Sequence, residues 1–513
     1  MGTYLPARVL DVSTDTPRLV ETDDGDERQR ETPYVTISHC WGTQAGLTPI
    51  RTTKDTLQER KSGIPWLDLP PLFRDIISLV RSLGYRYLWI DSLCIVQDDR
   101  DDWAKQSMEM ADVYSHAYLN ISATASRNCF ERLFEKRWHL GDVWAPEIRE
   151  PTLCHKIGMV DPTLADVYVR HSYGRGHRYV LGEAISGRCW ECPLLERAWV
   201  FQEGLLSQRT VHFAASEMIW QCRESMYCEC KDMDNLWKSN KLIPRIAPDG
   251  FWSKKVFWDI CTDRSPEEAI FGFWSKVIDE YSGLSLTNES DRAIALTGIA
   301  QRIQKRVHDD YLAGVWKRDL PRALLWTGFP LNNQKATRLH GGIPSWSWMS
   351  RSDGVGGCLA RYTFMYQTLV MDSRVRMFLE GTFCTTTMNV GFGSIQSGQV
   401  ELEAASWLTV VEVVPGKLPG EAESFMIKVD DRPPVDLLAD CPFDPSEPIR
   451  VGDVVLCLLM GRATSVHGGA ETYILVLKAV HSRHGYYRRV GVVDSEDLLP
   501  VFDKGPVLRV KIV

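Results

Sequence analysis

The segment that decides the fold reads Gly84-Tyr-Arg-Tyr-Leu-Trp-Ile-Asp-Ser-Leu-Cys-Ile-Val-Gln97. Its residues 88–90 form an unbroken apolar run, which is typical of a strand buried on both faces, as in a parallel sheet covered by helices. Asp91 follows at the carboxyl end of this strand, where ligands bind in open α/β sheets. The Asp91 carboxylate could equally cap the following loop. The pattern alone leaves both roles open.

The flanking sequence predicts strands and helices in alternation. Pro70-Pro71 begins a helix where a missing backbone N–H costs least, and Gly84 ends it. The apolar periodicity then predicts, in chain order, strand 34–38, helix 71–83, strand 86–91, helix 101–115 and strand 118–123. Such βαβ units have right-handed crossovers. We therefore expect a parallel sheet in which the strand ends at 38–42 and 91–98 meet at one edge.

Length and composition restrict the class of protein. A chain of 513 residues is too long for one hydrophobic core, so two or three domains are expected. The net charge of −8 and the lack of a basic stripe argue against a nucleic-acid partner. No apolar run is long enough for a membrane span, and the first residues lack the apolar core of a secretion signal. Fourteen scattered cysteines are typical of reduced thiols, so we expect a cytoplasmic protein.

Changes of pattern along the chain predict four segments. Residues 1–33 are an N-terminal lead-in, 34–230 an α/β domain with an irregular insertion at 127–192, 231–350 a helical extension, and 351–513 a smaller β-rich domain. The last of these is assigned from short alternating strands separated by turns rich in Gly, Pro and Asp.

The cysteines on either side of position 200 raise the question of a metal site. Cys189 and Cys192 have the spacing of zinc ligands, and Cys222, Cys228 and Cys230 follow. A strong zinc pattern has two such pairs at the usual separation, and here only one pair is followed by a loose trio. We therefore interpret these residues as structural thiols and expect no bound metal.

The predicted strand 34–38 runs directly into His39-Cys-Trp-Gly42. Gly42 can adopt a positive φ and bring the backbone close to a ligand. A Cys–His nucleophile pair is disfavoured, because adjacent residues on an extended strand point in opposite directions. We therefore interpret Cys40 as a small buried apolar residue.

Residues 193–207 are predicted to form a helix in which Trp199 and Glu203, four residues apart, lie on one face. An aromatic ring beside a carboxylate suits a sugar or nucleoside, because the ring stacks and the acid accepts hydrogen bonds from hydroxyls. The alternative is that Glu203 only pairs with Arg197 or Arg209. Spacing alone leaves the two interpretations equal.

Three separate blocks, in this order along the chain, resemble the fungal heterokaryon-incompatibility (HET) domain: Tyr34-Val-Thr-Ile-Ser-His-Cys-Trp-Gly42, then Tyr87-Leu-Trp-Ile-Asp-Ser-Leu-Cys-Ile-Val-Gln97 with Asp102-Trp103, Met110 and Tyr114, then Arg197-Ala-Trp-Val-Phe-Gln-Glu203. The likeness covers about residues 34–207, and a weaker one continues through 286–298 and 344–348. His39 replaces the more usual Tyr of the family, and Ala198 its usual Gly.

HET domains in turn resemble Toll/interleukin-1 receptor (TIR) domains, some of which cleave NAD at the nicotinamide ribosyl bond. This implies a flavodoxin- or TIR-like parallel sheet with helices on both faces, followed by a helical segment and a smaller C-terminal β-rich domain. The TIR catalytic Glu follows a Trp in a helix, and Trp199-Val-Phe-Gln-Glu203 has that spacing. The resemblance therefore implies that Glu203 is catalytic.

The resemblance also suggests roles for the neighbouring residues. Asp91 would act with Glu203, by orienting the loop or the ribose. The residues expected to bind substrate are Ser38, His39, Trp41, Gly42, Trp103 and Trp199, with Trp41 or Trp199 stacking on a ring and backbone N–H groups near Gly42 holding phosphate.

Three functions remain open from the sequence. The first is an NAD-cleaving enzyme of fungal self/non-self recognition and cell death. The second is a non-catalytic cell-death signalling module, and the third an enzyme of specialised-metabolite biosynthesis that reuses the pocket. The expected partner is a nucleotide-like small molecule or a specialised metabolite, with no nucleic acid, no membrane and no cofactor apart from NAD as substrate. A homo-oligomer remains open.

Overall fold

The computed structural model describes residues 4–22, 32–42, 48–134, 155–157, 167–169, 192–215, 217–229, 231, 254–329, 336–339, 342–352, 359–362, 369–386, 394–414, 424–428, 432–441, 448–464, 470–495, 498–503 and 505–513. The chain divides into two compact units, Met1–Trp258 and Asp259–Val513. Among the helices of these ranges, none is long and apolar enough to cross a membrane.

The first unit is an α/β structure. Its strands are β1 (Arg8–Asp11), β2 (Arg18–Glu21), β3 (Tyr34–Ser38), β4 (Tyr87–Trp89), β5 (Leu119–Ser122), β6 (His155–Ile157), β7 (Val167–Val169), β8 (Arg209–Phe213), β9 (Met218–Cys222) and β10 (Met226–Cys228). Its helices are α1 (Leu57–Ser62), α2 (Pro71–Ser82), α3 (Asp91–Cys94), α4 (Arg100–His116) and α5 (Ala198–Leu206), and α6 (Lys254–Cys261) begins in it. Short 3₁₀ turns lie at Trp66–Asp68 and Pro193–Glu196.

Within the described ranges, eight of these strands form one sheet in the order β10-β9-β8-β5-β3-β4-β1-β2. The central strands β4, β3, β5 and β8 are mutually parallel. The outer strands are antiparallel to their neighbours. Numbered along the chain, the parallel strands lie in the order 2-1-3-4, so the sheet grows in opposite directions from β3. The segment predicted as a lead-in supplies the edge hairpin β1–β2.

Helices cover both faces of this sheet. On one face, α2 packs its apolar side on Val35, Ile37 and Leu88 in a buried cluster. On the other face, the hydroxyl of Tyr34 donates to the carbonyl of Val113 in α4 at 2.6 Å. Successive side chains of β3 point alternately to these two faces, as the pleat of a strand requires. The predicted α/β class with a parallel sheet is therefore confirmed.

The predicted elements differ from the observed ones mainly at their ends. Strand 34–38 is confirmed without change, helix 71–83 ends at Ser82, and helix 101–115 extends to Arg100–His116. The strand predicted over 86–91 covers only Tyr87–Trp89, because Asp91 begins the short helix α3. The helix predicted over 193–207 is interrupted at Arg197, whose backbone is extended (φ −92°, ψ 130°), and α5 begins after it.

The second unit combines helices with many strands. Its helices are α7 (Glu267–Ser282), α8 (Ile294–Val307), α9 (Leu320–Ala323) and α10 (Leu499–Phe502), with 3₁₀ turns at Glu289–Asp291, Lys317–Asp319, Trp348–Ser350 and Leu379–Gly381. Its strands are β11 (Tyr311–Leu312), β12 (Val315–Trp316), β13 (Thr327–Phe329), β14 (Thr337–Arg338), β15 (Arg351–Ser352), β16 (Leu359–Arg361), β17 (Leu369–Met371), β18 (Arg376–Met377), β19 (Phe383–Thr386), β20 (Ile395–Val414), β21 (Ser424–Ile427), β22 (Val435–Asp436), β23 (Leu438–Ala439), β24 (Val454–Thr464), β25 (Ala470–Ala479), β26 (Tyr486–Ser495) and β27 (Val507–Ile512).

The long strands of the second unit form a largely antiparallel sheet. Its described central path runs β24-β25-β26-β27-β20. A buried cluster that includes Val455, Leu459, Ile474 and Val493 packs against one face of it. The predicted C-terminal β-rich region is confirmed.

Candidate functional site

The candidate site lies at the carboxyl-terminal edge of the parallel strands. β3 and β5 are adjacent, but the chain reaches β5 only after passing through β4 on the other side of β3. A crevice outside the strand ends at such a reversal is where ligands bind in open α/β sheets. Ser38 ends β3 here, and Asp91 follows β4 after one residue.

Helix α5 brings Glu203 to this edge. The Glu203 side chain is 6% exposed, and its Oε2 atom has no hydrogen-bond partner in the described structure. Burial raises the pKa of Glu203 from its ordinary 4.5 to about 7, and the nearby negative charge of Asp91 adds to the rise. The Ser38 hydroxyl and, less strongly, that of Tyr114 oppose it. The structure thus brings Ser38, Asp91 and Glu203 together.

The hydroxyls around Glu203 make hydrogen bonds elsewhere. Tyr114 donates to the carbonyl of Ile37 at 3.0 Å. The Ser38 hydroxyl accepts from the side-chain amide of Asn120 at 3.0 Å. Their positions beside the carboxylate are therefore set by the sheet and α4, and an unsatisfied buried carboxylate oxygen remains. Such an oxygen suits a ligand hydroxyl.

Asp91 is the organising carboxylate of the loop around the site. Its Oδ2 accepts from the indole N–H of Trp41 at 2.7 Å. Its Oδ1 accepts from the backbone N–H of Ser92 at 2.7 Å, at the start of α3. Its side chain keeps 24% exposure, so it remains open to a ligand. Both roles weighed from the sequence, the loop cap and the site residue, are compatible with this placement.

His39 lies buried beside Asp91. Its Nδ1 atom is 3.6 Å from Asp91 Oδ1, and its ring packs edge-on against Phe73, 5.1 Å between ring centroids. Burial lowers the pKa of His39, although the charge of Asp91 acts in the opposite direction. Burial therefore favours the neutral form of the ring, which packs between Asp91 and Phe73 of α2.

The remaining residues expected to bind substrate are Gly42, Trp103 and Trp199. Gly42 has a φ of +90°, and a Cβ there would come 2.3 Å from the Cβ of Asn128, so its close approach is to the protein itself. Trp199 is half-buried one turn before Glu203 in α5, and Trp103 is half-buried in the first turn of α4. Neither tryptophan forms a ring contact or side-chain hydrogen bond with Asp91 or Glu203 in the described structure.

The structure also bears on the alternative that Glu203 forms an ion pair with Arg197 or Arg209. Arg197 donates to the carbonyl of His39 at 2.7 Å, and Arg209 donates to the carbonyl of Tyr118 at 3.2 Å. Within the described ranges, neither arginine lies within ion-pair distance of Glu203. Arg197 instead ties the loop after β3 to the beginning of α5.

Lys254 is a buried residue that the sequence analysis did not single out. Its ammonium donates to the carbonyls of Gly204 and Ser207 and to the hydroxyl of Thr210, the last two at 2.9 Å. It thereby satisfies carbonyls at the C-terminal end of α5. Burial lowers its pKa to about 7. A distant lysine gives no local sequence signal for such a contact.

The structure describes three of the five cysteines that were interpreted as structural thiols. Cys189 and Cys230 lie outside the described residues. Cys192 and Cys228 are buried and Cys222 is half-buried. Among the described residues, no group of three or more His, Cys, Asp or Glu side chains is arranged to hold a metal. Cys40 is buried, and burial raises the pKa of its thiol.

Comparison with known proteins bears on the same segment. Residues 34–203 match the model of the family described as Heterokaryon incompatibility protein (HET). No curated protein and no solved structure matches the chain. The match begins at the first residue of β3 and ends at Glu203, so it encloses the whole of the site described above. The resemblance to the HET family that the sequence indicates is therefore confirmed over residues 34–203.

Proposed function

We propose that the HET domain of this protein cleaves the nicotinamide ribosyl bond of NAD. The observation that carries the proposal is Glu203, a buried carboxylate with a raised pKa and an unsatisfied Oε2 atom, beside Asp91 at the strand-order reversal. A carboxylate whose pKa is raised by burial and by a charged neighbour is a candidate functional group. A role in fungal self/non-self recognition and cell death belongs to the same proposal.

The strand order supports the TIR-like part of this proposal. The parallel strands follow the order 2-1-3-4, with which flavodoxin-type sheets also begin. In such sheets a nucleotide lies at the reversal between the first and third strands, here β3 and β5. The same edge carries Ser38 and Glu203.

The reaction requires few groups. The bond between the nicotinamide nitrogen and the ribose C1′ breaks, and nicotinamide leaves as a neutral base with the electron pair. C1′ becomes oxocarbenium-like, water adds to it, and one proton is released to yield ADP-ribose. Ionised Glu203 beside the ribose hydroxyls would stabilise the positive charge. Because the leaving group is neutral, no strong general acid is needed.

The other residues of the edge would position the substrate. Asp91 holds the Trp41 indole by its N–H, which presents the ring as a flat surface beside the carboxylates. His39, neutral and buried, would keep Asp91 in place. In this arrangement, Asp91 is a second negative charge near the developing oxocarbenium.

The test is nicotinamide release from NAD by the purified full chain and by Glu203→Gln. We expect the variant to lose about a hundredfold or more in rate, because it keeps the size of the side chain but not its charge. In the wild type, the rate should rise with pH as Glu203 ionises near pH 7.

Glu109→Gln is the matched control. Glu109 lies on α4, and its carboxylate accepts from Gln106 at 3.3 Å. The substitution removes the same charge from the same domain but leaves the site intact, so full activity is expected. A folded wild type that releases no nicotinamide would favour the non-catalytic signalling module or an enzyme acting on a specialised metabolite.

A further inference from the structure

A row of buried polar side chains lies across two central strands of the parallel sheet. Thr36 and Ser38 of β3 and Asn120 of β5 are at most 1% exposed. Thr36 is the register partner of Asn120, and Ser38 follows Thr36 by two residues, so the three side chains lie on one face of the sheet. Tyr34 is on the same face and donates to the carbonyl of Val113, which places the row under α4. Central strands of a parallel sheet are usually apolar on both faces, which makes this polar row unusual.

The hydrogen bonds within the row orient the amide of Asn120. Its Oδ1 accepts from the Thr36 hydroxyl at 3.1 Å, and its Nδ2 donates to Ser38 Oγ at 3.0 Å. Ser38 Oγ also lies 3.3 Å from Oδ1, but that oxygen already has a closer donor in Thr36. Ser38 Oγ is therefore the acceptor in its shorter contact with Asn120, and its own O–H can be directed to another group.

Glu203 is the group to which this O–H can be directed. Burial raises the pKa of Glu203, and the Ser38 hydroxyl is the hydrogen-bond donor that opposes this rise most strongly. Tyr114, the other hydroxyl beside the carboxylate, donates to the carbonyl of Ile37 at 3.0 Å. Ser38 is therefore the neighbour whose O–H is available to the carboxylate while Asn120 holds its oxygen.

We propose that Asn120 is a positioning residue of this site: its amide N–H holds the Ser38 hydroxyl so that the O–H donates to Glu203. A donor fixed on one carboxylate oxygen also fixes the direction of the other. The Oε2 atom of Glu203, which has no hydrogen-bond partner in the described structure, is thereby presented to a ligand. The importance of Asn120 for catalysis rests on the proposed function, whereas its effect on Glu203 can be measured without NAD.

The pKa of Glu203 in Ser38→Ala and in Asn120→Ala tests the proposal. It is measured by urea unfolding of each variant across pH, with and without the additional substitution Glu203→Gln. We expect either substitution to raise the pKa of Glu203 from about 7 by about one pH unit, because the ionised carboxylate loses a hydrogen bond. Combining Ser38→Ala with Asn120→Ala should raise it no further, since Asn120 acts through Ser38.

Nicotinamide release gives a second readout. The charged and titratable groups around Glu203 are unchanged in these variants, namely Cys40, Asp91, Tyr114 and Arg197. The pH at which the rate rises should therefore move upward with the pKa of Glu203, so that activity lost near neutral pH returns at alkaline pH. A substitution that only disturbs packing would instead lower the rate equally at every pH.

Ser122→Ala is the matched control. Ser122 is buried on the same strand two residues after Asn120, but its hydroxyl contacts Thr124 Oγ1 at 2.9 Å. The pKa of Glu203 should stay near 7 in this variant. Thr36→Val is a milder test of the same contact, because it keeps the amide and removes only the hydroxyl that orients it. The pKa of Glu203 should rise in Thr36→Val, but by less than in Asn120→Ala.

Two results would overturn the proposal. One is an unchanged pKa of Glu203 in Ser38→Ala, or in both Asn120→Ala and Thr36→Val. The other is a rise in the combined variant equal to the sum of the rises in Ser38→Ala and Asn120→Ala. A rise that is shared by these two variants, in a protein that releases no nicotinamide, would uphold the position of Asn120 and contradict only the proposed function.

Discussion

Among single residues, Glu203 lies in a buried environment that destabilises its ionised form. It is buried, and its pKa is raised by burial first and by Asp91 in addition. A carboxylate that serves only stability is normally paired or exposed. The cost is therefore an argument that the side chain acts on a ligand.

This cost makes the stability of the first unit depend on pH. Because the folded pKa, about 7, exceeds the ordinary 4.5, the folded state retains a proton that the unfolded chain loses. Stability from this group is complete below pH 4.5 and is lost as pH rises through 7. Relative to Glu203→Gln, the wild type should therefore lose about 3 kcal/mol of unfolding free energy between acidic and alkaline pH. Urea unfolding of both proteins across this range measures the difference.

A difference between wild type and Glu203→Gln that is the same at all pH values would contradict this account. It would mean that Glu203 has an ordinary pKa. A variant that becomes less stable as pH rises, relative to the wild type, would indicate an ion pair instead.

At the level of secondary-structure elements, two glycines with positive φ follow elements that lead to the site. Gly84 has a φ of +80° after α2, where its N–H and that of Tyr85 donate to the carbonyls of Arg81 and Val80. This is the Schellman pattern by which helices end at a glycine. Gly42, also with positive φ, lies in the segment after β3 and faces Asn128.

The two glycines should respond differently to alanine. At Gly84 nothing lies within 4 Å of an added Cβ, so only backbone strain of about 1 kcal/mol is expected. At Gly42 the same strain is joined by a contact of 2.3 Å with Asn128, so Gly42→Ala should cost roughly 2–4 kcal/mol. Denaturant unfolding of the two variants measures both costs. Equal losses would show that the loop moves away from Asn128 freely.

At the scale of the whole molecule, each unit has a buried cluster of its own. The first cluster joins α2 to the parallel sheet, and the second packs on the antiparallel sheet. Domains with separate cores can unfold as separate units.

We therefore expect calorimetry of the full chain to resolve two transitions. Gly42→Ala should lower only one of them. Asp440→Asn should lower only the other, because it leaves the buried Arg489 without its ion-pair partner, at a cost of about 3 kcal/mol or more. A single transition displaced by both substitutions would contradict the expectation.

The fold class and much of the order of elements in the first unit follow from local sequence patterns. The apolar run before Asp91, the proline pair at 70–71 and Gly84 are local signals, and the elements that they predict are present within a few residues. Local patterns predict these helices and strands because the periodicity of apolar residues reflects backbone conformation and burial. The HET blocks likewise identified the segment that the family model matches.

The contacts between side chains of distant segments, in contrast, become visible only in the folded structure. Arg197 lies six residues before Glu203 in the sequence, yet its guanidinium donates to the carbonyl of His39. Lys254, fifty residues beyond Gly204 in the chain, reaches the end of α5. Arg338 donates to the carbonyl of Arg489 across a still longer separation in the chain. Such contacts depend on packing between distant segments, because side-chain direction and burial are set by the whole fold rather than by spacing along the chain.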